Sequence, residues 1–283
     1  MKIVSTIKEL TAHITTVKKA DKTIGLVPTM GYLHEGHMAL AMAARKENDI
    51  VVMSLFVNPA QFGPNEDYES YPRDLIRDSR IAEKVGVDFL FTPSVSEMYP
   101  TNGGIQILAG PQSNILCGAT RPGHFEGVLK IVTKLFHLTQ PTKAYFGQKD
   151  AQQLALIETL VRDYNFPLEI RSVPIVREED GLAKSSRNVF LTEQQRKEAV
   201  VIHQALILAK NHYLESDNNI EATNFAKEHI KANSNGEIDY LQMLCYPDLT
   251  EVAEQTEKVL IAAAVYFGKT RLIDNIIFQR KGE

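Results

Sequence analysis

The chain has 283 residues, enough for two domains or one large α/β unit rather than a single small module. Hydrophobic side chains make up 44% of it and charged ones 23%, which excludes intrinsic disorder, because enough apolar material is present to offset the entropy of folding. Basic residues number 31 against 35 acidic ones, a net charge of −4 that argues against a protein working mainly by neutralising nucleic-acid phosphates.

The N-terminal MKIVSTIKELTAHITTVKK mixes polar and apolar residues and lacks the apolar centre of a signal peptide. Ile24 to Val27 reads as a buried strand, followed by Gly31 and a helix from about His37 to Lys46. Ile50 to Val57 is apolar on both faces, as a strand inside a parallel sheet should be. The polar loop GPNEDYESYP precedes a helix over Arg73–Val85, and the next strand is Asp88 to Thr92. Phe125–Leu138 is apolar at helical spacing, and Ala144–Phe146 is a further strand. Strand alternating with helix predicts right-handed βαβ units in a doubly wound, Rossmann-like parallel sheet. Ligands of such sheets sit beyond the carboxyl ends of the strands.

The pattern changes at about Arg177, which we take as the boundary between domains 1–176 and 177–283. Helices are expected over Thr192–Leu214 and Ile220–Ala232, then strands over Ile238–Cys245, Val259–Tyr266 and Arg271–Phe278, the last two joined by a turn at Gly268–Lys269. Helices followed by a small meander make a smaller α+β unit. No apolar run approaches the ~20 residues of a bilayer span. The two cysteines, Cys117 and Cys245, lie too far apart in sequence for a metal-ligand motif. The expectation is a cytoplasmic protein with no membrane contact.

Five segments carry candidate chemistry. In PTMGYLHEGH a strand runs into a helix through two glycines, with His34 and His37 three residues apart where free N–H groups attract anions. A bare H-x-x-H reads first as a pair of helix-start caps; the placement after a strand favours phosphate, and zinc lacks a third ligand. In FGQKDAQQ, Lys149 and Gln153 are four apart and Asp150 lies between them, a set that suits phosphate, ribose and a polar substrate as readily as an ordinary capped helix. AKSSRN offers two serines and Arg187 for a polyphosphate. VNPAQFG places Asn58 and Gln61 at a strand end, or is simply a turn. RPGHFEG carries Arg121 and His124, for which a structural reading comes first. Between residues 118 and 149 five basic side chains face one acidic one, so the expected ligand is an anionic nucleotide. Neither a P-loop nor a dinucleotide fingerprint is present to bind it.

Taken in order, PTMGYLHEGH, FVNPAQFG, RPGHFEG, FGQKDAQQL and GLAKSSRN closely resemble the pantothenate synthetase (pantoate–β-alanine ligase) family, and the likeness continues through RLIDNI at Arg271–Ile276. HEGH resembles the H-x-G-H signature of the nucleotidyltransferase superfamily. The resemblance implies ATP-dependent joining of pantoate to β-alanine through a pantoyl adenylate, releasing pyrophosphate and AMP. It implies that His34 and His37 meet the ATP phosphates, and that Met30, Gly31, Tyr32, Leu33, Glu35 and Gly36 complete a nucleotide-wrapping loop. It places Gly147 and Asp150 around the ribose and Val176 beside the adenine, with Gln148 and Lys184 also in the ATP-binding set. Lys149, Ser185, Ser186 and Arg187 fall at the phosphates; His34, His37, Lys149 and Arg187 are the implied catalytic set. Gln61 and Gln153 would hold pantoate, and Gln61 would also meet β-alanine. Magnesium on the phosphates, with ligands unassigned, and a homodimer are implied as well.

Two positions depart from the family pattern. Lys184 stands where an apolar residue is common and either adds a phosphate contact or points to solvent, the second reading being preferred. Lys130, inside the Phe125–Leu138 helix where a small polar residue is usual, bears on how snugly the pantoate side packs. Two other readings stand beside the ligase: an adenylyltransferase acting on another acid, and an ATP sensor without turnover. tRNA ligation is disfavoured by the short, acidic chain.

Overall fold

The computed structural model describes residues 1–64, 66–101 and 103–280. Six strands form one parallel sheet: β1 (Lys2–Val4), β2 (Ile24–Thr29), β3 (Ile50–Leu55), β4 (Phe89–Phe91), β5 (Lys143–Gly147) and β6 (Glu169–Val173), in the order β1-β4-β3-β2-β5-β6. The helices of this part are α1 (Ile7–Lys19), α2 (Glu35–Glu47), α3 (Leu75–Lys84), α4 (Val95–Met98), α5 (Cys117–Thr120), α6 (His124–Thr139) and α7 (Ala151–Asp163). Alternate residues of the central strands feed two cores. Leu26, Val52, Ala144 and Phe146 pack with α1, α6 and α7, whereas Val27, Met53 and Tyr145 pack with α2 and α3. Burial on both faces is why these strands read as continuous apolar runs.

Strand order reverses between β2 and β5, which are hydrogen-bonded neighbours with Leu26 opposite Ala144. The crevice beyond a switch point of this kind is where a doubly wound sheet binds ligands. Thr29 and Gly147, the last residues of the two strands, therefore deliver the 30–37 and 147–153 segments to one place.

The sequence reading finds the central strands to within two or three residues and misses the periphery. The N-terminal segment forms β1 and then α1, started by a Thr6–Glu9 capping box and burying Leu10, Ile14 and Val17 along one face. The edge strand β6 was hidden by its polar, half-exposed sequence EIRSV. The second unit holds α8 (Glu193–Glu198), α9 (Val201–Ser216) and α10 (Asn219–Asn233), packed on an antiparallel sheet β7-β8-β9 (Glu237–Cys245, Lys258–Phe267, Thr270–Gln279). The expected single helix over Thr192–Leu214 is interrupted at Ala199, where Ile202 N–H bonds to Ala199 O in a tighter three-residue step. Tyr246, Leu249 and Leu260 of this unit join the apolar core beside α7.

Candidate active site

An inner cavity of about 240 Å³ opens at the switch point and adjoins an outer one of about 860 Å³ that reaches β8 and β9. Lys149, Asp150, Gln153, Ser185 and Arg187 line both.

The loop from Met30 to His37 divides into two sets. Met30, His34, Gly36 and His37 line the inner cavity. Gly31 and Tyr32 turn the chain with φ of +92° and +50°, so that the Tyr32 and Leu33 N–H groups donate to the two oxygens of Asp78 at 2.7 and 2.8 Å. Those amides are consumed by a buried carboxylate on α3, and neither residue is among those lining the inner cavity. Leu33 is fully buried, and Arg77 ties down its carbonyl while stacking on the Tyr32 ring. Burial raises the Asp78 pKa despite the two amides. Asp78 was missed from sequence, although it is a charge lying one turn from the buried Ala82 of α3, and that misplacement was the available signal.

The histidines cap α2 reciprocally. His34 Nδ1 accepts Gly36 N–H at 3.1 Å, and His37 Nδ1 accepts His34 N–H at 3.3 Å, with the two rings 4.0 Å apart. Each Nδ1 is thereby fixed as an acceptor, which puts the proton of the neutral ring on Nε2. Burial, then the Lys149 charge, pushes His34 down to about 4. Burial, then His34 and Lys149, holds His37 well below its ordinary value. At neutral pH the pair therefore supplies two uncharged donors. Gly36 is required here, because a Cβ at that position would lie 2.9 Å from the His34 ring. The capping and phosphate readings of H-x-x-H are thus compatible.

Lys149 sits on a one-turn 3₁₀ helix, Gln148–Asp150, at the carboxyl end of β5. Among the described residues it makes no ion pair, and burial lowers its pKa. Gly147 and Val176 line the inner cavity with it, and the Gly147 side is open space. Gln148 is turned toward the second unit, its carbonyl accepting from Asn275. Gln61, 8% exposed, receives Asn58 Nδ2 on its Oε1 and lies 3.3 Å from Met30 Sδ. Asn58 itself is spent, bonding Gly127 O, Tyr99 OH and Ala60 N, so it is a structural node rather than a free polar group.

Ser185 accepts Arg187 N–H and starts the 3₁₀ turn Ser186–Phe190. Lys184 is partly exposed but not free in solvent: its Nζ lies 2.7 Å from Glu178 and 3.5 Å from Glu35, so the solvent-facing expectation holds only in part. Lys130 stands over the Tyr99 ring and does not line the inner cavity, whereas Val128, Ile131, Val132 and Leu135 of the same helix do. Arg121 and Arg187, which line both cavities, are held by the polar loop, Arg121 by Glu66 and Arg187 by Asp67. Residue 65 of that loop lies outside the described residues. His124 accepts Arg121 Nη1 at 3.0 Å and donates to Gln61 O at 2.8 Å, so RPGHFEG shapes the Gln61 wall, in keeping with its structural reading.

A doubly wound α/β enzyme with cations, neutral donors and amides gathered round a switch-point cavity is the class these features define. The chain belongs to the pantoate–β-alanine ligase family, whose model matches residues 2–277. It is 66% identical over 281 residues to the pantothenate synthetase of Lysinibacillus sphaericus, covering 99% of each chain. Among solved structures it matches the pantothenate synthetase of Thermus thermophilus with a TM-score of 0.91 at 45% identity, covering 98% of this chain and 99% of that one. It also matches the pantoate-β-alanine ligase of Francisella tularensis, complexed with beta-gamma ATP and β-alanine, with a TM-score of 0.80 at 37% identity, covering 99% and 98%.

Proposed function

We propose that this enzyme condenses (R)-pantoate with β-alanine at the expense of ATP, through a pantoyl adenylate. The observation that carries the residue assignment is the convergence of His34, His37, Lys149, Gln61 and Gln153 on one inner cavity. A carboxylate is a poor acyl donor until one of its oxygens becomes part of a good leaving group. In the first half-reaction a pantoate carboxylate oxygen forms a bond to the α-phosphorus, and the bond from that phosphorus to the bridging oxygen breaks. Pyrophosphate leaves with that electron pair. Negative charge grows on the departing oxygens, where Lys149, Arg187 and the Nε2–H groups of His34 and His37 offset it. In the second half-reaction the β-alanine amine attacks the acyl carbon, the acyl–phosphate oxygen bond breaks, AMP departs and the ammonium proton is lost to solvent.

Gln61 and Gln153 are the pantoate-holding residues in this reading, with Gln61 also meeting β-alanine. Met30, Gly36, Gly147, Asp150, Val176, Lys184, Ser185 and Ser186 surround the nucleotide. Gly31, Tyr32, Leu33, Glu35 and Gln148 support that wall rather than touch the ligand. Residues 1–176 form the ATP- and pantoate-binding domain, and 177–283 cover it. Among the described residues no cluster of three or more metal-ligating side chains exists. Among the described residues Asp150 brings the one carboxylate to the inner cavity. That set suits magnesium carried on the nucleotide's phosphates and not a protein-built cage; when bound, the ion would neutralise phosphate charge. Among the described residues no helix is long and apolar enough to cross a membrane. The cytoplasmic setting and the homodimer rest on the family resemblance, and sedimentation of the purified protein tests the latter.

The deciding experiment measures pyrophosphate release with pantoate, without and then with β-alanine. Pantoate-dependent release, with AMP and pantothenate accumulating only when the amine is present, is expected. ATP binding without release would overturn the assignment. In His37→Ala the release should fall by about 10²–10³-fold, the loss typical of a transition-state donor.

A further inference from the structure

The RLIDNI segment has no place in the chemistry above, yet it enters the site from behind. Asn275 on β9 is 3% exposed, and its Nδ2 donates to Gln148 O at 2.9 Å and Lys149 O at 2.8 Å. These are carbonyls of the short turn that carries Lys149, a turn with no side-chain cap of its own. One amide group from the second unit therefore supplies a restraint that the first lacks.

Asn275 is in turn fixed from two sides. Its N–H donates to Asp274 Oδ1 at 2.7 Å. Asp274, 4% exposed, receives Arg177 Nη1 and Nη2 at 2.6 and 2.9 Å. The same guanidinium donates to Gly181 O at 3.0 Å, at the head of the segment that continues to Ser185 and Arg187. A buried charge pair is poor evidence for stability but a good device for holding one arrangement, because removing either member leaves the other uncompensated. Here it lies between the two cation-bearing segments of the cavity. Lys149, by contrast, sits at the cavity without an ion pair among the described residues, so the aim of its ammonium depends on the backbone that carries it.

We infer that Asn275 is a positioning residue for Lys149, holding the Gln148–Asp150 turn in the geometry that meets the departing pyrophosphate, and that the Arg177–Asp274 pair fixes Asn275. The inference rests on the proposed role of Lys149. A displacement of about 1 Å at such a group costs up to about a hundredfold in rate.

A double-mutant cycle tests it, with single-turnover formation of the pantoyl adenylate as the signal. Asn275→Ala should lower kcat about tenfold to a hundredfold, with the KM for ATP changed by less than about threefold, because an interaction made in the transition state is lost and ground-state binding is kept. In a Lys149→Ala background the same substitution should cost less than about twofold. An equal cost in both backgrounds would mean that Asn275 merely joins the two units, and the inference fails while the role of Lys149 stands. An undiminished rate in Lys149→Ala alone would remove that role and the inference together. Should Asn275→Ala not fold, Asn275→Asp, equal in size but opposing an oxygen to the two carbonyls, enters the same cycle with the same expectations.

Discussion

Arg187 and Asp67, 120 residues apart in sequence, meet as a two-point pair, Nε and Nη2 of the guanidinium donating to the two carboxylate oxygens at 3.2 and 3.1 Å. Burial alone would lower the Arg187 pKa, but the bond to Asp67 raises it overall. The carboxylate sits where a planar anion would sit on the same fork. In Asp67→Asn the ATP phosphates no longer compete with that charge. A pair about one-third exposed is worth up to about 1 kcal/mol, so the KM for ATP should fall by up to about fivefold. Steady-state kinetics read the sign directly, and a rise in KM would make Asp67 a binding residue instead of a competitor.

A second expectation concerns acid. His124 is neutral and fully satisfied between Gln61 O and Arg121, and burial followed by the Arg121 charge pushes it down to about 4. His34 is lowered to about the same value. The unfolded chain, with histidines near 6.5, binds more protons than the folded one over this range, so stability falls as pH drops from about 6.5 toward 4. Each group contributes on the order of 2–3 kcal/mol to the drop. Thermal unfolding measured between pH 7 and 4.5 should show it. His124→Gln, which keeps a donor and an acceptor without the titration, should show a shallower slope; parallel curves would acquit His124.

Gly127 is a contact rather than a hinge. A Cβ there would meet Ala60 O and Gln61 Cα far inside contact distance, where α6 lies against the Pro59–Gln61 turn. Gly127→Ala should cost about 1–3 kcal/mol in urea unfolding, the usual cost of overpacking. It should also raise the KM for pantoate more than that for ATP, because Gln61 moves. Equal effects on the two substrates would disconnect Gly127 from the Gln61 wall.

Asp78→Asn leaves one oxygen for two amide donors and turns an NH₂ group toward the other. An unsatisfied buried donor costs about 1–3 kcal/mol, so a fall in the urea midpoint of that size is expected. ATP binding should weaken with it, since His34 follows Leu33 directly in the loop that Asp78 holds. Unchanged ATP affinity in a destabilised variant would show that the loop keeps its shape without the carboxylate.

Legibility followed chemistry more closely than position. Strands such as Ile50–Leu55 were plain because burial on both faces leaves no polar residue to confuse the pattern. His34, His37, Lys149, Gln61 and Arg187 each had an ordinary structural reading beside the functional one, and only the five segments together set them apart; the fold brings all five to one cavity. Asp78, Asp67 and Asn275 were not, since each matters through a partner 45 to 127 residues away that no local spacing reports. β6 was lost because an edge strand with Glu169 and Ser172 exposed resembles a loop. The pairing of Lys184 was missed because Glu35 lies on α2 of the first unit and Glu178 faces it only across the Arg177–Ala183 bridge.

The cap on α2 ties local order to chemistry. The nitrogen of His34 that holds the first turn together is the one whose engagement leaves the proton on the other side of the ring. Fraying of that turn would therefore free the ring at the same moment as the backbone, and the Nε2–H would lose its fixed aim while the sheet beneath stayed intact. Warming should then silence adenylate formation before the molecule melts, with helix and catalyst failing as one unit.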